Sequence, residues 1–171
     1  MRYPLAGRET LAAFTTGSGL FAGAIGLARA AARRAVGPLA VPLAVGGGLM
    51  WLGRSLGDAY VEVGETTLTV KLGVFFNETI PLNDIARVSQ NEWSLWGGLG
   101  VRTNLRDMVA VVTRPGPVAE LNLWRPYRLP IIPQIYYVRA LRLLVSPQDL
   151  EGFISELRGR LAAWRIERRR G

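Results

Sequence analysis

Two stretches of the chain carry no charge, and the sequence beyond them alternates. Residues 10–28, between Glu9 and Arg29, and residues 35–53, between Arg34 and Arg54, are each 19 residues long and lack Asp, Glu, Lys and Arg. At about 1.5 Å per residue a helix of that length spans roughly 28 Å, close to the ~30 Å hydrocarbon core of a bilayer. The pattern predicts two transmembrane helices, at about 9–34 and 36–54, joined by a short basic connection containing Arg29, Arg33 and Arg34. Thr15, Thr16, Gly17, Ser18 and Gly19 weaken the first stretch, and Pro38, Pro42 and Gly46–Gly48 weaken the second. Lipid tolerates such residues where neighbouring helices satisfy the backbone. Gly19 and Gly23, like Ala22 and Gly26, are four apart, which leaves one face small enough for close helix packing. A soluble helical hairpin would need a polar face, and neither stretch has a charge to make one. A cleaved signal peptide ending near Ala28-Arg29-Ala30 is the weaker rival.

From Asp58 the period becomes two. Tyr60–Gly64 alternates, then Thr67-Leu68-Thr69-Val70-Lys71-Leu72 sets polar against apolar residues as a half-buried antiparallel strand does. Further strands are predicted at 75–81, 85–91, 108–113, 118–124 and 139–145, with the proline-rich residues 125–133 as a long connection. Seven short strands with closely spaced turns point to a mainly β barrel or sandwich. A helix at about 148–164 closes the chain. Ser146 is its expected N-cap, and Leu150, Phe153, Ile154, Leu157 and Leu161 form one apolar stripe. The expected division is a membrane hairpin at 1–57, a β domain at 58–164 and a basic tail at 165–171.

Composition narrows the chemistry. Apolar residues make up 49% of the chain and charged residues 20%, which excludes disorder. With no Cys and no His, disulfides, thiol nucleophiles, histidine general bases and the common zinc sites are absent. Glu62 and Glu65 are the only close acidic pair in the β region, one on a strand and one at its turn, where converging glycosidase carboxylates are not expected. Gly46–Gly48 and Gly97–Gly100 lack the Lys-Ser/Thr of a phosphate loop. The chain is therefore expected to be a non-enzyme without cofactor or metal.

Charge is unevenly spread. Residues 58–96 hold 2 basic and 6 acidic residues, net −4, whereas residues 97–145 hold seven Arg against Asp107 and Glu120, net +5. Arg102, Arg106, Arg125 and Arg128 are the candidates for an anionic surface, a solvated face being the plainer alternative. Trp93 and Trp96 are the candidates for a membrane-interface loop, against folding back over the core. Topology is not decided by charge: Arg29, Arg33 and Arg34 in the connection balance Arg2, Arg8 and Arg54 on the flanks.

Three segments resemble bacterial pleckstrin-homology (PH) domain proteins. Residues 79–88, Thr-Ile-Pro-Leu-Asn-Asp-Ile-Ala-Arg-Val, are similar to an IPL-x-DI-xx-V segment of that family. Residues 96–102 resemble its Trp/Gly-rich turn, and residues 143–153 its closing junction, with Leu150 where Pro is frequent. The resemblance covers 58–163 and implies a seven-stranded antiparallel PH-like barrel capped by a helix. A preceding helical hairpin, a cell-membrane location and a cytoplasmic domain are likewise what the resemblance implies. The basic first turn that binds phosphoinositides in eukaryotic PH domains is not matched, since Val63-Gly64-Glu65-Thr66 is acidic. The expected function is a membrane-anchored binding or scaffolding module, with an accessory subunit of a membrane enzyme or transporter as the alternative. The lipid bilayer, an anionic lipid, a membrane protein or a second copy are the candidate partners, and nucleic acid is not.

Overall fold

A computed structural model describes residues 1–33 and 40–170. The described residues form nine strands and three α-helices, so the chain is mixed α and β rather than mainly β. It divides into two compact units, Met1–Gly7 with Ala59–Gly171, and Arg8–Asp58. The first seven residues, grouped with the hairpin on sequence grounds, belong to the β unit.

The β unit has two sheets. In the first, β1 (Arg2–Pro4), β2 (Tyr60–Val63), β3 (Thr67–Leu72) and β4 (Phe76–Pro81) follow one another in space, all antiparallel. Along β3, Leu68, Val70 and Leu72 are buried and their neighbours half-buried, the outcome that period two predicts. β1 escaped the sequence reading because Arg-Tyr-Pro is too short to show a period. It is tied in from several sides: Leu5 is fully buried and donates its N–H to the Ala59 carbonyl at 3.1 Å, and the Ala6 N–H donates to the Ser146 carbonyl at 2.7 Å. Gly7 then turns with φ +73°, where a Cβ would come within 3.2 Å of the Thr113 carbonyl oxygen.

The second sheet comprises β5 (Ile85–Trp93), β6 (Gly100–Thr103), β7 (Met108–Val112), β8 (Gly116–Ile132) and β9 (Tyr136–Val145), in the order β5-β8-β9-β7-β6. β7 pairs with β9 in parallel, so the expected all-antiparallel set of seven is not what forms. β6 is four residues behind a glycine-rich turn, again too short to read. The largest departure is β8, which runs through the prolines expected to form a connection. Its pairing with β5 ends at Leu123, and beyond that point β8 is an edge, where the missing N–H of Pro126 and Pro130 is tolerated.

The last helix, α3 (Leu150–Arg170), runs on through the expected basic tail. Its cap is Asp149, whose carboxylate accepts the Gly152 N–H at 2.9 Å. Ser146, the expected cap, is instead buried and accepts the Thr113 N–H at 3.0 Å. Phe153, Ile154, Leu157 and Leu161 are buried as the stripe predicts, and the Tyr3 hydroxyl donates to Glu156 at 2.6 Å, joining β1 to α3.

The other unit contains α1 (Arg8–Arg33) and α2 (Ala40–Gly57). Residues 34–39, including the start of the expected second span and Pro38, lie outside the described residues. Among the described residues, Arg8–Ala30 is the one stretch long and apolar enough to cross a membrane. α2, described only from Ala40, does not meet that measure, so one of the two expected spans is found among the described residues.

Candidate membrane-contact site

The two helices of the Arg8–Asp58 unit meet through their smallest residues. A Cβ placed on Gly19 would lie 2.7 Å from the Gly46 carbonyl oxygen, and one on Gly46 would lie 2.8 Å from that of Gly19. Further along, Gly26 faces Pro42, and Gly53 faces the Ala12 carbonyl at 2.9 Å by the same measure. Backbones this close exclude every side chain larger than hydrogen, which is the packing mode of helices in lipid. Many of the large side chains point the other way. Phe14, Leu20, Phe21, Val41, Leu43 and Trp51 are exposed, Phe21 at 69% and Val41 at 71%. Only 11% of the most apolar window of α1 is buried. A water-soluble helical pair would bury its Phe, Leu and Val and turn small or polar residues outward. This pair is inside out.

In the β unit two neighbouring tryptophans take opposite roles. Trp93, at the end of β5, packs on a small cluster of Ala110, Val112, Val118 and Leu144, together with Met108. Its indole N–H donates to the Gly98 carbonyl at 2.9 Å. The glycines after it make this possible: a Cβ on Gly97 would come within 2.6 Å of the Trp93 ring, and one on Gly98 within 2.7 Å of the Arg102 Nε. Trp93 is thus half-buried and packed within the β unit. Trp96 is 97% exposed, and its neighbour Leu95 is exposed as well.

The four arginines do not form one patch. Arg102 lies on edge strand β6, opposite Ala110 of β7, and Arg106 is in the following turn. Arg125 and Arg128 lie on β8, three strands away in the sheet order β8-β9-β7-β6. At about 4.8 Å per strand that is roughly 14 Å across the sheet. Arg125 is also committed: its Nη2 contacts both carboxylate oxygens of Asp84, a residue only 5% exposed. That bond holds the Arg125 guanidinium even more firmly protonated than usual. Arg128 is exposed and lies 4.5 Å from the centre of the Tyr137 ring.

Sequence reasoning missed two features of this surface. Arg142, not among the candidates, bonds Asp107 through Nε and Nη2, both at 3.1 Å, and with Asn104 holds that carboxyl below its ordinary range. Arg139, also not among the candidates, faces Arg128 directly across β8 and β9. Strand register alone makes that pairing, and no local pattern announces it. Glu62 is paired with Arg2 at 3.8 Å, while Glu65 sits exposed in the β2–β3 turn. Among the described residues, no group of three or more Asp and Glu converges to hold a metal. No family model, curated protein or solved structure matches the chain.

Proposed function

We propose that the chain is a non-catalytic, membrane-anchored module whose PH-like β unit binds or scaffolds at the bilayer surface. The observation that carries this reading is the inverted α1–α2 pair, packed through Gly19 and Gly46 with Phe21 and Val41 facing outward. A topological argument supports a second span. β1 is hydrogen-bonded to β2, so residues 2–4 and 60–63 must lie on the same side of any membrane crossed between them. If α1 crosses, the chain returns before Ala59, and α2 with the residues before it is the segment available to do so. Removal of α1 as a signal peptide would also remove β1, and with it the fully buried Leu5.

The PH-like assignment draws on the three sequence segments, the two largely antiparallel sheets and the closing helix α3. The β6–β7 hairpin, joined to β9 in parallel, is a departure from that plan. The cytoplasmic side is the reading favoured by the resemblance. Expression of the full chain, followed by alkaline carbonate extraction of membranes, tests the anchor. Retention in the pellet until detergent is added is expected, and recovery in the aqueous fraction overturns the reading. Because the chain has no Cys, Glu65→Cys provides a unique label for sidedness, expected to react only when the cytoplasmic face is open.

A further inference from the structure

Beyond Leu123 on β8 and before Arg142 on β9, the two strands lose their outer neighbours and pair only with each other. Tyr127 opposes Ala140, Arg128 opposes Arg139, Leu129 opposes Val138 and Ile132 opposes Tyr136. The result is a two-stranded arm of about 20 Å, six residues at roughly 3.3 Å each. One face is accounted for, since Leu129, Val138 and Ala140 are buried. The tip is not: Ile132, Ile135, Tyr136 and Tyr137 are all exposed, Ile135 at 79%.

Charge on the arm has one sign. The 28 residues from Leu121 to Gln148 contain no Asp or Glu, while Arg125, Arg128, Arg139 and Arg142 lie among them. Arg125 and Arg142 are bound to Asp84 and Asp107. Among the described residues, Arg128 and Arg139 have no carboxylate partner, although they stand directly opposite each other in register. Like charges placed so are mutually destabilising. An external anion would relieve that repulsion. An apolar tip, tyrosines behind it and then cations without a carboxylate partner is the order in which a bilayer presents acyl chain, interface and phosphate.

We infer that the β8–β9 arm is a second membrane contact, inserting Ile132 and Ile135 shallowly while Arg128 and Arg139 bind the headgroups of anionic phospholipid. This rests on the anchored reading above, because only a domain held at a bilayer keeps the arm within reach of it. The contact would fix the orientation of the β unit relative to the membrane plane.

The test uses the full chain in nanodiscs, with a single environment-sensitive fluorophore on Ile135→Cys, on Phe21→Cys in α1 or on Glu65→Cys in the β2–β3 turn. Spin-labelled lipids serve as quenchers. Quenching at 135 by headgroup-proximal labels is expected in bilayers containing phosphatidylglycerol, with a loss in pure phosphatidylcholine or at high salt. Glu65→Cys should remain unquenched. Adding Arg128→Glu and Arg139→Glu should abolish the quenching at 135 and leave that at 21 intact. Quenching at 21 without any at 135 overturns the arm contact and leaves the anchor standing. A label at 135 shielded from aqueous iodide but untouched by lipid quenchers means a protein covers the tip, which also overturns the inference. Equal quenching in both lipids overturns the anionic recognition. Absence of quenching at 21 overturns the anchored reading itself.

Discussion

A single nitrogen of Arg125, Nη2, lies 3.0 Å from each carboxylate oxygen of Asp84. Asp84 closes the 3-10 turn between β4 and β5 and is buried, whereas Arg125 reaches it from an exposed stretch of β8. The arginine therefore neutralises a carboxylate that has left water, a structural duty that its high exposure conceals. Replacing Arg125 with Gln leaves that charge unpaired and should lower the thermal midpoint of the full chain in detergent. Arg128→Gln, made at an exposed site, should leave the midpoint nearly unchanged. A double-mutant cycle of Asp84→Asn with Arg125→Gln should be clearly non-additive. Equal midpoints for the two single arginine variants would refute the assignment.

The N-terminal strand makes a second prediction. Chain termini ordinarily tolerate truncation, but Leu5, just after β1, is fully buried and bridges to Pro147 in the segment before α3. Leu5→Ala should cost about 2–5 kcal/mol of unfolding free energy. Denaturant unfolding followed by the near-ultraviolet signal of the β unit is the measurement. A loss below about 0.5 kcal/mol, the range of ordinary surface changes, would mean that β1 is dispensable.

Tyr3 supplies a pH dependence. Burial first, then the hydrogen bond to Glu156, pushes its hydroxyl from 10.0 up to about 12. A group whose folded pKa is raised contributes stability that is complete below its unfolded pKa and is lost as pH rises toward the folded one. The full chain should therefore weaken between about pH 10 and 12, from this residue's contribution. Tyr3→Phe should be less stable at neutral pH by about 1 kcal/mol, from the lost hydrogen bond, yet flatter across the alkaline window. Parallel pH curves for the two proteins would contradict this.

The glycine contact between α1 and α2 makes a fourth prediction. Gly46→Leu must push the helices apart, because even a Cβ lies 2.8 Å from the Gly19 carbonyl oxygen. Gly47→Leu, at a position with nothing within 4 Å, should be accepted. Cysteine pairs introduced across the two helices should crosslink in the Gly47 variant and fail in the Gly46 variant. Equal crosslinking would show that the interface lies elsewhere.

Much of the fold was legible in the residue pattern. The charge-free run at 10–28 falls within α1, the alternation at 67–72 coincides with β3, and the apolar stripe from Phe153 to Leu161 is the buried face of α3. Each is a local period, and a local period states which face of an element must leave water. It does not state what that face, or a strand edge, will meet. β1 pairs with residues almost 60 positions away, and β8 passes through Pro126 and Pro130 because β5 has already ended beside it. Trp93 and Trp96, three residues apart at the end of β5 and in the turn after it, separate into packed and exposed only because the turn at Gly97 and Gly98 folds one ring back over β7. The sequence by itself determined the helical pair, most of the strands and the absence of cysteine and histidine chemistry. Tertiary structure alone decided that Arg125 is spoken for, that Arg128 stands opposite Arg139 and that β1 belongs to the β unit. The physical reason is that pairing across strands and neutralisation of a buried charge are made between residues distant in the chain, which the period of neither partner records.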